Sequence, residues 1–247
     1  MSLRVVLAAL SLAGCGRIGF DAERDARAAD GSATTDTPAG APITWVRTFV
    51  QQASGSTSQT APFTATANAG DAIVIHVFCK TATQPTSVTI SAQDTLWSFV
   101  RLGSIVGNTT SMHWATEVGA IAPASGSVAF LVTWSGSCIE TIELGDEFAN
   151  ADPTGGATTF EAHDEVNGNG NCTGSVTTLH AGDAIWSACS GGPVSAVDQG
   201  FTKSADDGVQ DWSEYELTTD PAGTIEDAGF ADTGDNVATT VAIRPAS

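Results

Sequence analysis

Lysine is nearly absent from this chain, and basic residues of either kind are scarce. There are 9 Lys+Arg against 28 Asp+Glu, and the formal net charge is -19. Two of the arginines, Arg4 and Arg17, stand near the N-terminus. A protein this acidic repels nucleic acid and anionic lipid headgroups, so the composition excludes a DNA or RNA partner.

A sustained helical period with capping residues is also missing from every segment. From residue 43 onward, short β-like runs alternate with Gly/Pro/Asp turn clusters at the 8–12-residue spacing of a sandwich or barrel. Residues 72–78 (AIVIHVF), 128–134 (VAFLVTW) and 237–243 (VATTVAI) are three of these runs. The sequence therefore predicts an all-β fold: a single antiparallel, jelly-roll-like β-sandwich over residues 43–247.

The N-terminus has the pattern of a lipoprotein export signal. Arg4 precedes the apolar run 5–12, which is too short to span a bilayer. The following Leu-Ala-Gly-Cys at 12–15 resembles the lipobox of bacterial lipoproteins. This resemblance implies a signal peptide over residues 1–14 and lipidation at Cys15, and an ordinary signal peptide is the alternative. Because residue 16 is Gly rather than the Asp that retains lipoproteins at the inner membrane, we expect an outer-membrane anchor in the cell envelope.

Residues 15–42 are predicted to be the lipidated N-terminus and a disordered tether. The segment 31–42 is small, polar and interrupted by proline, so it cannot bury enough apolar surface to order itself. An N-terminal docking arm is the alternative, although no apolar periodicity supports it. Such a tether would let the domain stand clear of the membrane.

One pentapeptide, Ala-Gly-Asp-Ala-Ile, occurs twice, at residues 69–73 and 181–185. Each copy opens an apolar strand after a threonine-rich segment. The pattern fits either duplication of a half-sandwich or repeated use of a Gly-Asp turn, whose positive φ suits glycine. The sequence alone favours the turn.

Several segments together carry a family resemblance. They are the Gly-Asp turn and strand at 70–75, the segments 88–97 and 112–115, the tryptophan strand 127–134, and residues 144–153. In this order they resemble uncharacterised jelly-roll-like β-sandwich modules of secreted bacterial proteins. The chain departs from the family pattern at Ile90, at Asp94-Thr95 and at Ala149-Asn150. The resemblance implies a sandwich and, by analogy, a binding or adhesive role, since fold does not confer function.

Besides Cys15, four cysteines remain, an even number in an oxidising compartment. A four-residue turn at 179–182 would place Cys172 opposite Cys189, which leaves Cys79 to pair with Cys138. No Cys-x-x-Cys or Cys/His spacing occurs, so structural disulfides are favoured over a metal site.

Catalytic motifs are weak. Ser190 lies in Ala-Cys-Ser-Gly-Gly, which resembles a nucleophile elbow, but Pro193 follows and no αβ alternation surrounds it. Acids cluster around Asp207 and Glu214, yet in so acidic a chain a solvated surface explains them better than a glycosidase pair. We therefore assign no catalytic, cofactor-binding or metal residues.

Calcium could bind the Asp/Gly turns at 206–208 and 232–236, although we assign it no residues. The four histidines show no paired ligand spacing. Trp45 and Trp212 are the tryptophans whose exposure would offer a sugar-stacking face, whereas Trp97, Trp114 and Trp134 fall in apolar strands.

These observations predict a membrane-anchored surface lipoprotein whose domain is a non-enzymatic binding or adhesion module. Its partners would be the membrane, through the N-terminal lipid, and a glycan or protein ligand, with Trp212 and its acidic neighbours as the first site to inspect. The alternative is a secreted glycan-active hydrolase that uses the acids near Asp207 and Glu214.

Overall fold

The computed structural model describes residues 40–59, 63–93, 96–169, 172–232 and 234–247. All of them belong to one compact unit, Pro38–Ser247. The predicted signal peptide, Cys15 and residues 16–39 of the predicted tether lie outside the described residues. Among the described residues, no helix is long and apolar enough to cross a membrane.

The first half of the domain is built from antiparallel strands around one long strand. Its strands are β1 (Thr44–Gln59), β2 (Phe63–Ala67), β3 (Ala72–Lys80), β4 (Val88–Ala92), β5 (Val100–Arg101), β6 (Val106–Asn108), β7 (His113–Ile121) and β8 (Gly126–Ala149). The C-terminal part of β8 lies between β1 and β3, and β3 also pairs with β7. The N-terminal part of β8 pairs with β2 and β4 instead. The short strands β5 and β6 both pair with β7.

The second half follows a single 3-10 turn at Gly156–Thr159. Its strands are β9 (Phe160–Asn169), β10 (Cys172–Thr177), β11 (Ala184–Ser190), β12 (Val194–Val197), β13 (Thr202–Asp206), β14 (Trp212–Leu217), β15 (Ile225–Asp232) and β16 (Asp235–Ile243). One sheet has the order β13-β14-β11-β16-β9, and a smaller sheet has the order β10-β15-β12.

The two halves have the same strand connectivity. In the first, β1-β8-β3-β7 and β2-β8-β4 belong to one eight-stranded sheet whose two layers share the long strand β8; in the second, the separate sheets that contain β9-β16-β11-β14 and β10-β15-β12 correspond to these layers. The first strand lies beside the last and the last beside the third, which is the order of a jelly roll. We call β1–β8 the first repeat and β9–β16 the second repeat. The recurring pentapeptide opens β3 and β11, the equivalent strands, so the topology supports duplication over repeated use of a turn.

The larger layers of the two repeats pack face to face. The core between them combines Leu144 and Phe148 of the first repeat with Phe160, Trp186 and Val241 of the second. Separate apolar clusters fill the interior of each repeat. The strands of the larger layers are therefore covered on both faces, which explains why β3 and β11 are buried along nearly their whole length. The predicted all-β antiparallel sandwich architecture is confirmed, and the strand order divides it into two repeats where a single unit was expected.

Both expected disulfides are present. Cys79 on β3 is joined to Cys138 on β8, and Cys172 on β10 to Cys189 on β11. The predicted hairpin that placed Cys172 opposite Cys189 is wrong, because β10 and β11 lie in different sheets. The Cys172–Cys189 bond therefore links the two layers of the second repeat, and both of its cysteines are fully buried.

Candidate functional site

An open cavity of about 410 Å³ lies on the first repeat. Two loops border it: one follows β3, and the other connects β5 to β6. Its lining residues are Gln84, Pro85, Thr86, Arg101, Ser104 and Ile105. Pro85 is buried and Ile105 half-buried, whereas the four polar side chains are exposed. Four of the six lining residues are polar, so the cavity is more polar than most small-ligand pockets, while its volume lies in their usual range.

The loop after β3 is held by one serine of β8. The hydroxyl of Ser135 accepts hydrogen bonds from the backbone N–H of Thr86 at 2.8 Å and of Ser87 at 3.1 Å. It also lies 3.1 Å from the hydroxyl of Thr86. These contacts give the Gln84–Thr86 wall a defined position on the sheet.

The loop between β5 and β6 is held by a carboxylate of the second repeat. Glu165 on β9 accepts a hydrogen bond from the backbone N–H of Ser104. A Cβ at Gly103 would lie 1.0 Å from Glu165 Oε1, so a larger residue there would force the end of the Glu165 side chain out of this position. Burial raises the pKa of Glu165, and the nearby Arg101 opposes this shift. The second repeat thus supports a wall of a cavity in the first.

Arg101 gives the cavity its charge. Most basic side chains in the described ranges form ion pairs, such as Arg47 with Glu147 at 2.7 Å and Lys203 with Asp206 at 2.5 Å. Arg101 is exposed and has no ion-pair partner within 4.0 Å among the described residues. Its guanidinium offers five N–H donors, which suit hydroxyl or carboxylate oxygens.

Among the acids that the sequence singled out near Asp207, the buried Asp211 contacts the Asp207 carboxyl group, and burial followed by repulsion from Asp207 raises the pKa of Asp211. Asp207 Oδ1 accepts hydrogen bonds from the backbone N–H groups of Val209, Gln210 and Asp211, at 2.8 to 3.0 Å, and so shapes a turn. Asp206 is paired with Lys203. The turn at 206–208, which we considered for calcium, belongs to neither of the two groups of metal-capable side chains found among the described residues.

Glu214 lies inside the second repeat, so the expectation of a solvated acidic face there is wrong. Its side chain is fully buried, and burial raises its pKa to about 8. Glu214 Oε2 accepts a hydrogen bond from the backbone N–H of Asp198 at 3.1 Å. Asp198 lines a second cavity of about 240 Å³, but Glu214 is not among the residues that line it. The lining of that cavity therefore does not supply the two opposed carboxylates that a glycosidase requires.

Ser190 ends β11 and is fully buried, with β16 beside it through Val237. It lies in an antiparallel sheet and no helix follows, so the nucleophile elbow does not form.

The two tryptophans whose exposure would have offered sugar-stacking faces, Trp45 and Trp212, both contact neighbouring side chains. Lys203 Nζ lies 3.3 Å from the centre of the Trp212 ring. Trp45 stacks on Tyr215 with ring centres 5.6 Å apart, and its indole nitrogen donates a hydrogen bond to Asp146 at 2.7 Å. The Arg101 cavity is therefore a stronger candidate for a binding site than the surface around Trp212. The scarcity of basic residues is the sequence signal that points to Arg101.

Two groups of metal-capable side chains occur among the described residues. Cys172, Cys189 and Asp232 form one, but its sulfurs are in a disulfide. Glu161, His180 and Asp183 form the other, with ligand atoms within 4.8 Å of one another. The spacing of residues in the sequence did not indicate this group, because Glu161 lies on β9 and is distant in the chain from His180 and Asp183. The calcium turn at 232–236 contains Thr233, which lies outside the described residues.

Comparison with known proteins adds no assignment. No protein-family model matches the chain, and neither a curated protein nor a solved structure is significantly similar to it. The function therefore has to be argued from the chemistry of the sites themselves.

Proposed function

We propose that this protein is a lipid-anchored component of the cell envelope whose domain binds a glycan without turning it over. The anchor is Cys15, and the binding site is the Arg101 cavity. One observation carries the proposal: the cavity combines four exposed hydrogen-bonding side chains with an apolar floor, and its lining contains no carboxylate, histidine or cysteine. A site of this composition can hold a polyhydroxylated ligand, but its lining offers no carboxylate pair for glycoside hydrolysis and no histidine or carboxylate to activate the Ser104 or Thr86 hydroxyl.

The rigidity of the scaffold supports binding. Both walls are attached to strands, one through Ser135 on β8 and the other through Glu165 on β9. Loops held in one conformation lose little conformational entropy when a ligand binds, which favours affinity. Arg101 extends the ligand class to glycans that carry a carboxylate, because guanidinium and carboxylate form paired charge-assisted hydrogen bonds.

The test is a glycan array with the untagged domain, residues 38–247, followed by calorimetry on the strongest ligands. We expect Arg101→Gln to weaken binding at least about tenfold, the loss typical of one charge-assisted hydrogen bond. Lys203→Gln removes the same charge from the second repeat and should leave the affinity unchanged. If the Arg101→Gln variant bound the ligand as tightly as the native domain, the ligand would not bind in this cavity.

The hydrolase alternative is tested on the same protein with a panel of glycan and ester substrates. Reproducible hydrolysis of a substrate by the native domain, lost in the Glu214→Gln or Ser190→Ala variant, would overturn the proposal that the domain only binds its ligand.

A further inference from the structure

The two Gly-Asp turns of the duplicated repeats differ at one position that matters chemically. Asn68 and His180 each lie three residues before the turn aspartate, Asp71 in the first repeat and Asp183 in the second. In both turns the glycine before the aspartate has a positive φ, +88° and +81° respectively. The backbones correspond, so the asparagine and the histidine occupy the same place in the fold.

In the first repeat, Asn68 bridges two carboxylates. Its side-chain nitrogen donates to Asp71 Oδ2 at 3.0 Å and to Glu147 Oε1 at 3.1 Å. Glu147 Oε2 is held in addition by Arg47 Nε at 2.7 Å. One amide and one guanidinium therefore offset the charges of this pair.

In the second repeat, the group beside the turn is Glu161, His180, Asp183 and Arg244, and here the glutamate lies on β9, the counterpart of β1, whereas Glu147 lies on β8. His180 Nδ1 lies 2.6 Å from Glu161 Oε1, and Arg244 Nε lies 3.6 Å from the same oxygen, beyond hydrogen-bond distance. The Nη2 of Arg244 is bound to Asp152. The imidazole reaches only one of the two carboxylates, so no side chain bridges them as Asn68 does in the first repeat.

Two buried carboxylate oxygens are left unpartnered as a result. Asp183 is fully buried, and its Oδ2 accepts the backbone N–H groups of Leu179 and His180 at 3.0 and 3.2 Å. Its Oδ1 has no hydrogen-bond partner among the described residues, and neither has Glu161 Oε2, on a side chain only 4% exposed. Burying such groups without a partner is costly. Burial raises the pKa of Asp183 to about 6, and repulsion from Glu161 acts in the same direction.

A divalent cation would bridge the two carboxylates of the second repeat, as the Asn68 amide bridges those of the first. The three ligand atoms lie within 4.8 Å of one another, and the His180 side chain is 50% exposed, which leaves a path from solvent. One imidazole nitrogen with two carboxylate oxygens suits zinc, whereas calcium prefers oxygen ligands alone. We propose that Glu161, His180 and Asp183 form a zinc-binding site in which water completes the coordination.

The experiment uses untagged residues 38–247, treated with EDTA, dialysed and titrated with zinc chloride by calorimetry. We expect one zinc ion per chain and a higher melting temperature on binding. Cobalt(II) should bind in its place and show the visible absorption of a four-coordinate nitrogen and oxygen site. This spectroscopic readout does not depend on any variant.

His180→Asn installs at this turn the side chain that the first repeat carries, so the variant should fold. We expect it to weaken zinc binding more than about tenfold, because even second-shell changes at metal sites cost 10 to 100-fold in affinity. Glu161→Gln should weaken it similarly. His163→Asn, which changes an exposed histidine of the same strand as Glu161, should leave the affinity unchanged.

Three results would overturn the site. They are no one-to-one binding of zinc by the native domain, the same zinc affinity in the His180→Asn variant, and a calcium response equal to that of zinc. The proposal does not rest on the glycan-binding function, because no residue of the Arg101 cavity is involved.

Discussion

Asp146 on β8 and Trp186 on β11 belong to different repeats, and the indole nitrogen of Trp186 donates a hydrogen bond to Asp146 Oδ2 at 2.5 Å. Ser204 and Ser213, both of the second repeat, donate to the same oxygen at 2.7 and 3.0 Å. Trp45 of the first repeat donates to Oδ1 at 2.7 Å. One buried carboxylate thus gathers four donors where the repeats meet, so it specifies how they pack.

The titration of Asp146 should make stability depend on pH. Burial raises its pKa from 3.8 to about 6, although the four hydrogen bonds oppose the shift. A carboxyl group whose pKa is higher in the folded state contributes its full stability below the unfolded pKa and loses it as pH rises through about 6. The loss is about 2 kcal/mol between pH 4 and pH 7.5. We expect Asp146→Asn to remove this part of the pH dependence in urea unfolding at the two pH values.

The exposed Asp227 provides the control for that measurement, since Asp227→Asn should leave the pH dependence unchanged. The amide introduced by Asp146→Asn has a single acceptor oxygen, which cannot serve Trp45 and Trp186 together, so this variant should also lose about 1–3 kcal/mol. An unaltered pH dependence in Asp146→Asn would show that other buried acids, such as Glu214, produce it.

The two disulfides should contribute unequally to stability. They close loops with sequence separations of 59 and 17 residues. Loop-closure entropy predicts losses of about 4 kcal/mol for the Cys79→Ala/Cys138→Ala pair and about 3 kcal/mol for Cys172→Ala/Cys189→Ala. Urea unfolding of the two double variants measures the difference. Non-reducing peptide mapping that links Cys79 to Cys172 would contradict the pairing itself.

Gly103 and Glu165 should be coupled across the two repeats. A methyl group at position 103 overlaps the Glu165 carboxylate, so Gly103→Ala should destabilise the domain by about 1–3 kcal/mol. Adding Glu165→Ala removes the overlapping atoms, and the double variant should be more stable than the sum of the two single losses predicts. Additive losses in urea unfolding would mean that the loop simply moves aside.

Cys15 should decide whether the protein stays with the membrane. Cys15→Ser removes the thiol that would carry the lipid, so the protein should move from the membrane fraction to the soluble fraction. Metabolic labelling with a fatty-acid analogue gives the direct measurement. Labelling that persists in the Cys15→Ser variant would defeat the lipobox interpretation. Ser11→Ala, a substitution within the apolar run, serves as the control that should still be labelled.

The sequence by itself determined the local features of this protein. Turn clusters at regular spacing and the lack of helical periods predicted an all-β antiparallel sandwich, because strand and turn preferences act over a few residues. The positive φ of Gly70 and Gly182 follows from the Gly-Asp turns in the same way. The Cys172–Cys189 pair was also predicted, although from a hairpin that does not exist.

Only the tertiary structure decided which surfaces became interior. Period-2 patterning identifies a strand but not the sheet that covers its second face, so the burial of Glu214 and Asp146 could not be read from their neighbours in sequence. The same limit hid the approach of Glu161 on β9 to His180, and the support that Glu165 gives to the Arg101 cavity. These contacts join strands that are distant in the chain, and they exist because the two repeats bury their larger layers against each other.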